Sequence, residues 1–163
     1  MARVSYVKNL GPLVTDFYEF TMADALFQEG VHETQTSFQM QIRNTPLDRG
    51  YLINAGLETF LEWLEGWQFD EDDVAYLRGL KNPEGKQILS DAFLDTLVGS
   101  KLAIDVEAIP EGELVFGYEP MVRITGPVWQ CLLVESILLN ICNAQSLFAT
   151  NMSIFKQVAD GKP

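Results

Sequence analysis

Nucleophilic chemistry needs a base, and the chain offers one histidine, His32, just past Gly30 in a stretch that reads as a loop. With no serine or cysteine tied to it by spacing, it reads as a surface histidine. Cys131 and Cys142 stand eleven residues apart in an apolar stretch, make no metal-ligand spacing, and read as buried free thiols suited to a reducing cytosol. The run Asp70-Glu71-Asp72-Asp73 concentrates carboxylates but lacks the alternating oxygen ligands and the glycine of a calcium loop, so it reads as a solvated helix start. No GxGxxG, GxxxxGK[ST] or HExxH motif occurs. No catalytic residue and no metal ligand is assigned within this chain.

Two other features are more specific. Tyr18 lies beside Asp16 where a first helix should begin, so an aromatic ring and free helix amides could there meet an aromatic acid or a phosphate. On residues alone, Tyr18 reads as core or rim. Near the end of the chain, Asn143, Ser146 and Thr150 recur at helical spacing and form a polar line on an otherwise apolar element. Such groups need partners, and helix-to-backbone hydrogen bonds are the plainest ones.

The elements that must position these residues follow from periodicity. Thr15-Asp16 supplies a capping side chain and Gly30 a stop, which predicts a helix over about 16 to 29. From Thr34 the chain alternates, with Thr36, Phe38, Met40 and Ile42 on one face, the pattern of a half-buried strand. After a turn around Asn44-Thr45-Pro46, Leu57, Phe60, Leu61, Leu64 and Trp67 repeat at helical spacing while Glu58, Glu62 and Glu65 face away. Phe69-Asp70-x-x-Asp73-Val74 and Leu89-Ser90 before Leu94 each resemble a cap with a hydrophobic staple, predicting two short helices. Strands are expected over Leu102–Ala108, over Leu114–Tyr118 after the turn Pro110-Glu111-Gly112, and over Met121–Thr125, closed by Gly126-Pro127. Beyond Pro127, eleven of the fifteen residues from Val128 to Cys142 are apolar and no breaker precedes Gly161, so a long helix buried on most sides is expected over 128–163. The predicted class is α+β: an N-terminal helix, a few-stranded, mostly antiparallel sheet with helices, then the long helix.

Length and charge bound the rest. At 163 residues the chain suits one domain, taken as 1–163, and 47% apolar with 11% aromatic residues suits a packed core. Eleven Lys+Arg against 23 Asp+Glu give a formal charge of −12, which argues against a nucleic-acid or anionic-membrane surface. No apolar leader segment follows Met1, and no uncharged 18-residue apolar run occurs. Asp160-Gly161-Lys162-Pro163 is turn chemistry that leads into another element, so the chain is expected to be the start of a longer one.

Pro12-Leu13-Val14-Thr15-Asp16-Phe17-Tyr18-Glu19-Phe20-Thr21-Met22 resembles the signature T-D-x-Y-x-x-T-M of nicotinate phosphoribosyltransferases. It is followed in order by Gly50-Tyr51-Leu52-Ile53-Asn54-Ala55-Gly56-Leu57-Glu58, Ile109-Pro110-Glu111-Gly112, Glu119-Pro120-Met121-Val122-Arg123-Ile124-Thr125-Gly126-Pro127, Leu138-Leu139-Asn140-Ile141 and Ala149-Thr150, all similar to landmarks of that family. The resemblance implies a cytosolic enzyme of NAD salvage that joins nicotinate to phosphoribosyl pyrophosphate, with ATP and Mg2+ serving the full enzyme through a phosphorylated histidine. It implies a homodimer, and a β/α barrel, mostly beyond this chain, that carries the phosphohistidine. By the same resemblance Tyr18 packs on the nicotinate ring across the dimer interface, and Asp16 and Thr150 are further candidates for substrate contact. Many members have basic residues where this chain has Asn151 and Ile154, so no phosphate role passes to those two. The fragment is therefore expected to be inactive alone. Two rival readings are a non-catalytic binding or dimerisation module derived from the family, and a nicotinamide or quinolinate phosphoribosyltransferase relative.

Overall fold

The computed structural model describes residues 7, 10–45 and 49–159. Pro46 of the first turn, Arg3 and Lys8 near the start, and the Asp160-Gly161-Lys162-Pro163 turn lie outside them. Among the described residues the order is α1 (Phe17–Gln28), β1 (Gln35–Gln41), β2 (Leu52–Ile53), α2 (Leu57–Glu65), α3 (Glu71–Gly79), α4 (Asp91–Leu97), β3 (Asp105–Ala108), β4 (Leu114–Val115), β5 (Pro120–Pro127) and α5 (Val128–Val158). The class is α+β as expected, both sheets are antiparallel, and the described residues form no barrel.

The main sheet has the order β1-β5-β3, with β5 central. Along β1 the expected alternation holds, Met40 being buried and Phe38 half-buried while the glutamines and Ser37 face water. The register slips by one residue between Met40 and Gln41, so Met121 is the extra residue of a bulge, and Met121 and Val122 are both buried. The expected strand over Leu102–Ala108 shortens to β3, because the Gln130 side chain captures the backbone ahead of it. Ala103 N donates to Gln130 Oε1 at 2.6 Å and Gln130 Nε2 donates to the Lys101 carbonyl at 3.0 Å. This crossing runs so close to β5 that a Cβ on Gly126 would stand 2.7 Å from the Ala103 carbonyl. Gly126-Pro127 therefore extends β5 by packing need and does not close it as a turn, and Val128 N continues the run by donating to the Thr34 carbonyl at 2.9 Å.

The strand expected over Leu114–Tyr118 is also corrected. Only Leu114–Val115 pairs, with β2 and not with β3, and the inward residue is Val115, while Leu114, Phe116 and Tyr118 are exposed. Tyr118, at φ 66°, ends the extended run.

Helix boundaries follow their caps. α1 ends in a Schellman pair, Gly30 N donating to the Phe27 carbonyl and Val31 N to that of Leu26. α3 starts with a full capping box between Asp70 and Asp73, and Ser90 Oγ accepts from Phe93 N at the start of α4, as their sequences predict. On α2 the buried side chains are Phe60 and Trp63, while Leu61 is exposed. The expected stripe holds at Phe60 and Trp67, with Leu57 and Leu64 half-buried, and fails only at Leu61, whose place is taken by Trp63, its ring stacked on Phe60 at 6.2 Å. Trp67, Phe69, Phe20 and Trp129 form an aromatic centre that binds the start of α3 to α1 and α5.

α5 is 31 residues long, and its burial divides along its length. From Trp129 to Leu138 nearly every side chain is buried, and Cys131 and Cys142 are buried free thiols whose removal from water pushes both up to about 11. Its second half instead exposes Phe148, Met152, Phe155 and Val158 along one side. By length and composition α5 is apolar enough to cross a membrane, but less than half of its most apolar stretch is buried. The expectation of burial on most sides thus holds for the first half only, since the sheet and α1 reach no further along it.

Candidate functional site

Three sequence landmarks far apart in the chain converge in one hydrogen-bonded knot between β2, α2 and the second half of α5. Asn54, 1% exposed, has its backbone N–H bonded to the Glu113 carbonyl, its own carbonyl bonded to Gly112 N, and its Nδ2 on the Ile109 carbonyl at 2.5 Å. Glu111 Oε1 accepts from Gly56 N at 2.7 Å and Glu58 N at 3.1 Å, placing a carboxylate on the amides that open α2. Gly56 sits at φ 102°, and a Cβ there would stand 3.0 Å from the Cys142 Cα and the Ile141 carbonyl, so both conformation and space require glycine. Ser146 Oγ exchanges hydrogen bonds with Ala55 N and O, both 3.0 Å.

Thr150 completes the knot. Its hydroxyl accepts from Ile53 N at 2.9 Å and donates to the Ser146 carbonyl at 2.7 Å, and the residue is 1% exposed. In this structure Thr150 holds β2 against α5 and has no hydroxyl hydrogen left for a ligand. The polar line on α5 is therefore mostly a clamp, as its plainest reading held, with Asn143 alone facing outward. Next to the knot, Arg49 Nη1 donates to Asn151 Oδ1, which brings a guanidinium to the α5 position where the chain lacks a basic residue.

The second site lies where α1 starts against α5. Asp16 is the N-cap residue, but its side chain makes no capping bond. Instead its backbone N–H donates to Ser136 Oγ at 3.1 Å, and Asp16 lines an open groove of about 470 Å³ with Ser136, Asn140 and Asn143. That corrects the expected capping role of Thr15-Asp16: Asp16 is the N-cap residue without a side-chain cap, and α5 anchors its backbone instead. Tyr18, two residues further, is 51% exposed, so it belongs to the surface and not the core. Phe17 and Met22 beside it are also exposed. The hydrogen-bonding pull of the Glu19 carboxylate, then partial burial and the negative charges of Glu19, Glu135 and Asp16, push the Tyr18 phenol up to about 12. Tyr18 therefore presents a neutral phenol with an open ring face.

His32 is not the plain surface residue its loop position suggested. Its ring packs on Phe27 at 4.5 Å, and Nδ1 is buried with no hydrogen-bond partner among the described residues. Among the described residues no group of three His, Cys, Asp or Glu side chains is placed to hold a metal ion. Sequence reasoning missed Asp24, a buried α1 carboxylate that accepts from Ser90 N at the start of α4, and the buried Glu19. The only signal for either is an acid on the inner side of a helix whose apolar periodicity is weak.

A structured N-terminal domain with an outward aromatic ring, clamped to a long helix that is half uncovered, is the class of object these observations define. Residues 13–143 match the family model for the N-terminal domain of nicotinate phosphoribosyltransferase. The chain is 38% identical over 156 residues to a nicotinate phosphoribosyltransferase of Mycobacterium tuberculosis, covering 96% of this chain and 32% of that one. It is 35% identical to the Bacillus subtilis nicotinate phosphoribosyltransferase, covering 90% of this chain and 29% of that one. The crystal structure of human nicotinic acid phosphoribosyltransferase superposes with a TM-score of 0.82 at 27% identity, covering 92% of this chain and 29% of that one. Nicotinate-nucleotide pyrophosphorylase from Pyrococcus furiosus shares the fold alone, at a TM-score of 0.64 and 19% identity. The chain belongs to the nicotinate phosphoribosyltransferase family. It spans about a third of the length of the curated relatives it matches.

Proposed function

We propose that this chain is the N-terminal part of an enzyme that joins nicotinate to phosphoribosyl pyrophosphate in cytosolic NAD salvage, and that its direct contribution is the Tyr18 ring. The observation that carries the reading is the exposure of Tyr18 at the start of α1, within the signature that marks the family. A flat pyridine ring stacking on an open phenol gains roughly 0.5–1.5 kcal/mol beyond burial of area. The site that receives the ring is completed by another subunit of a homodimer, with Asp16 at its edge. Phosphate binding, the phosphorylated histidine and the coupling to ATP and Mg2+ belong to the remainder of the parent chain. Phe148, Met152 and Phe155 on the open side of α5 fit an element that packs against that remainder.

The test is a chimera in which this chain replaces the equivalent N-terminal segment of the Bacillus subtilis relative. Pyrophosphate release dependent on nicotinate and phosphoribosyl pyrophosphate is expected. A soluble, cooperatively melting chimera without turnover would overturn the reading. A second reading, a ring-binding or dimerisation module without catalysis, is favoured by Asn151 and Ile154 standing where basic residues are common. It is distinguished by a chimera that dimerises and binds nicotinate yet turns nothing over.

A further inference from the structure

Glu19 is fully buried, and neither carboxylate oxygen has a hydrogen-bond partner of ordinary geometry among the described residues. It lies on the side of α1 that packs against α5, one turn from the point where Asp16 N is tied to Ser136. The charged and titratable groups acting on it are Tyr18 and Asp16 from α1 and Glu135 from α5, and none of them is a cation. Behind Glu135, a cavity of about 300 Å³ is lined by Gln39 of β1 and by the thiol of Cys131, again with no basic residue. Glu135 itself is half-buried.

A carboxylate stripped of water, with like charges beside it and no donor in ordinary hydrogen-bond geometry, is costly to keep ionised, and the favoured state is the neutral acid. We propose that Glu19 is held as the neutral acid in the folded chain, and that this proton is what allows α1 to seat on α5. Loss of the proton to solvent leaves a buried Glu19 carboxylate facing Glu135 and Asp16, and α1, with Tyr18 on its outer side, loosens. Burial, opposed by the Tyr18 hydroxyl and reinforced by Glu135 and Asp16, raises Glu19 above the ordinary carboxylate range, while burial and Asp16 raise Glu135. The direction of the linkage follows. With the folded-state value raised, the folded chain binds more protons than the unfolded one between the ordinary and raised values. The contribution of this proton to stability is therefore fully present below the ordinary carboxylate range and is lost as pH rises through the raised value.

Thermal melts of the full chain across pH test this, using Glu19→Gln, Glu135→Gln and, as a control for loss of one exposed charge, Glu84→Gln. Glu19→Gln is expected to melt several degrees above the parent at neutral pH and to lose most of the fall in melting temperature with rising pH. Glu135→Gln should shrink that fall by removing the like charge, and Glu84→Gln should leave it unchanged. In infrared difference spectra, parent minus Glu19→Gln, a protonated carboxylic acid band should persist to higher pH than the bulk carboxyl bands. A Glu19→Gln protein that melts with or below the parent at neutral pH, an unaltered fall in Glu135→Gln, or no persisting acid band overturns the proposal.

Discussion

Supplied with nicotinate and phosphoribosyl pyrophosphate, with or without ATP and Mg2+, the purified 163-residue chain is expected to release no pyrophosphate above background. The transfer needs cationic or amide donors on the pyrophosphate leaving group and a held attacking nitrogen, and such preorganised electrostatics supply most of the rate in enzymes of this kind. Here the one histidine is packed on Phe27, and Arg49, the basic group beside the knot, is engaged by Asn151. Thr150 is closed into the fold, and the groove at the start of α1 is lined by Asp16 with Ser136, Asn140 and Asn143 and by no basic residue. The Asp16 charge there repels the substrate's phosphates. Reproducible turnover that survives further purification and disappears on unfolding would refute this, and would place a complete active site within the chain.

The second large effect concerns Tyr18 and is read in the catalytically competent chimera. Tyr18→Ala is expected to raise the Michaelis constant for nicotinate, or lower kcat/KM, by about tenfold, the equivalent of roughly 1–2 kcal/mol of lost stacking and burial. Tyr18→Phe keeps the ring face and should stay within about threefold of the parent. Because the side chain is half exposed, the melting temperature of the Ala variant should move little. A large loss of stability with unchanged nicotinate kinetics would assign Tyr18 to packing instead.

Much of this fold can be read from local chemistry, and the failures share a cause. The capping box at Asp70 and Asp73, the Ser90 cap, the stop at Gly30 and the alternation of β1 each depend on residues within a few positions of one another, so sequence spacing carries them. What spacing does not carry is a partner brought from far along the chain. Gln130 shortens β3, Ser136 anchors the backbone of Asp16 at the start of α1, and β2 claims β4, turning Val115 inward. On α2 the expected stripe is right at Phe60 and Trp67 and wrong only at Leu61, because Leu61 and Trp63 are both apolar and the larger ring is the one buried. At the candidate site, the position and exposure of Tyr18 agree with a ligand-facing role. Glu19 was invisible because a buried acid on the inner side of a helix leaves no pattern in a sequence.

The claim on which the account turns is that the Tyr18 ring belongs to a site completed by another subunit. Mixed dimers test it most directly, formed from one chimera carrying Tyr18→Ala and another disabled in the grafted C-terminal portion. Each parent homodimer is weak or inactive, whereas the mixed dimer contains one site with both halves intact. The account expects nicotinate-dependent activity to return, up to about half that of the unaltered chimera when one of two sites is whole. A preparation shown to contain mixed dimers but no more active than its parents would contradict it, and would leave Tyr18 serving its own subunit or none.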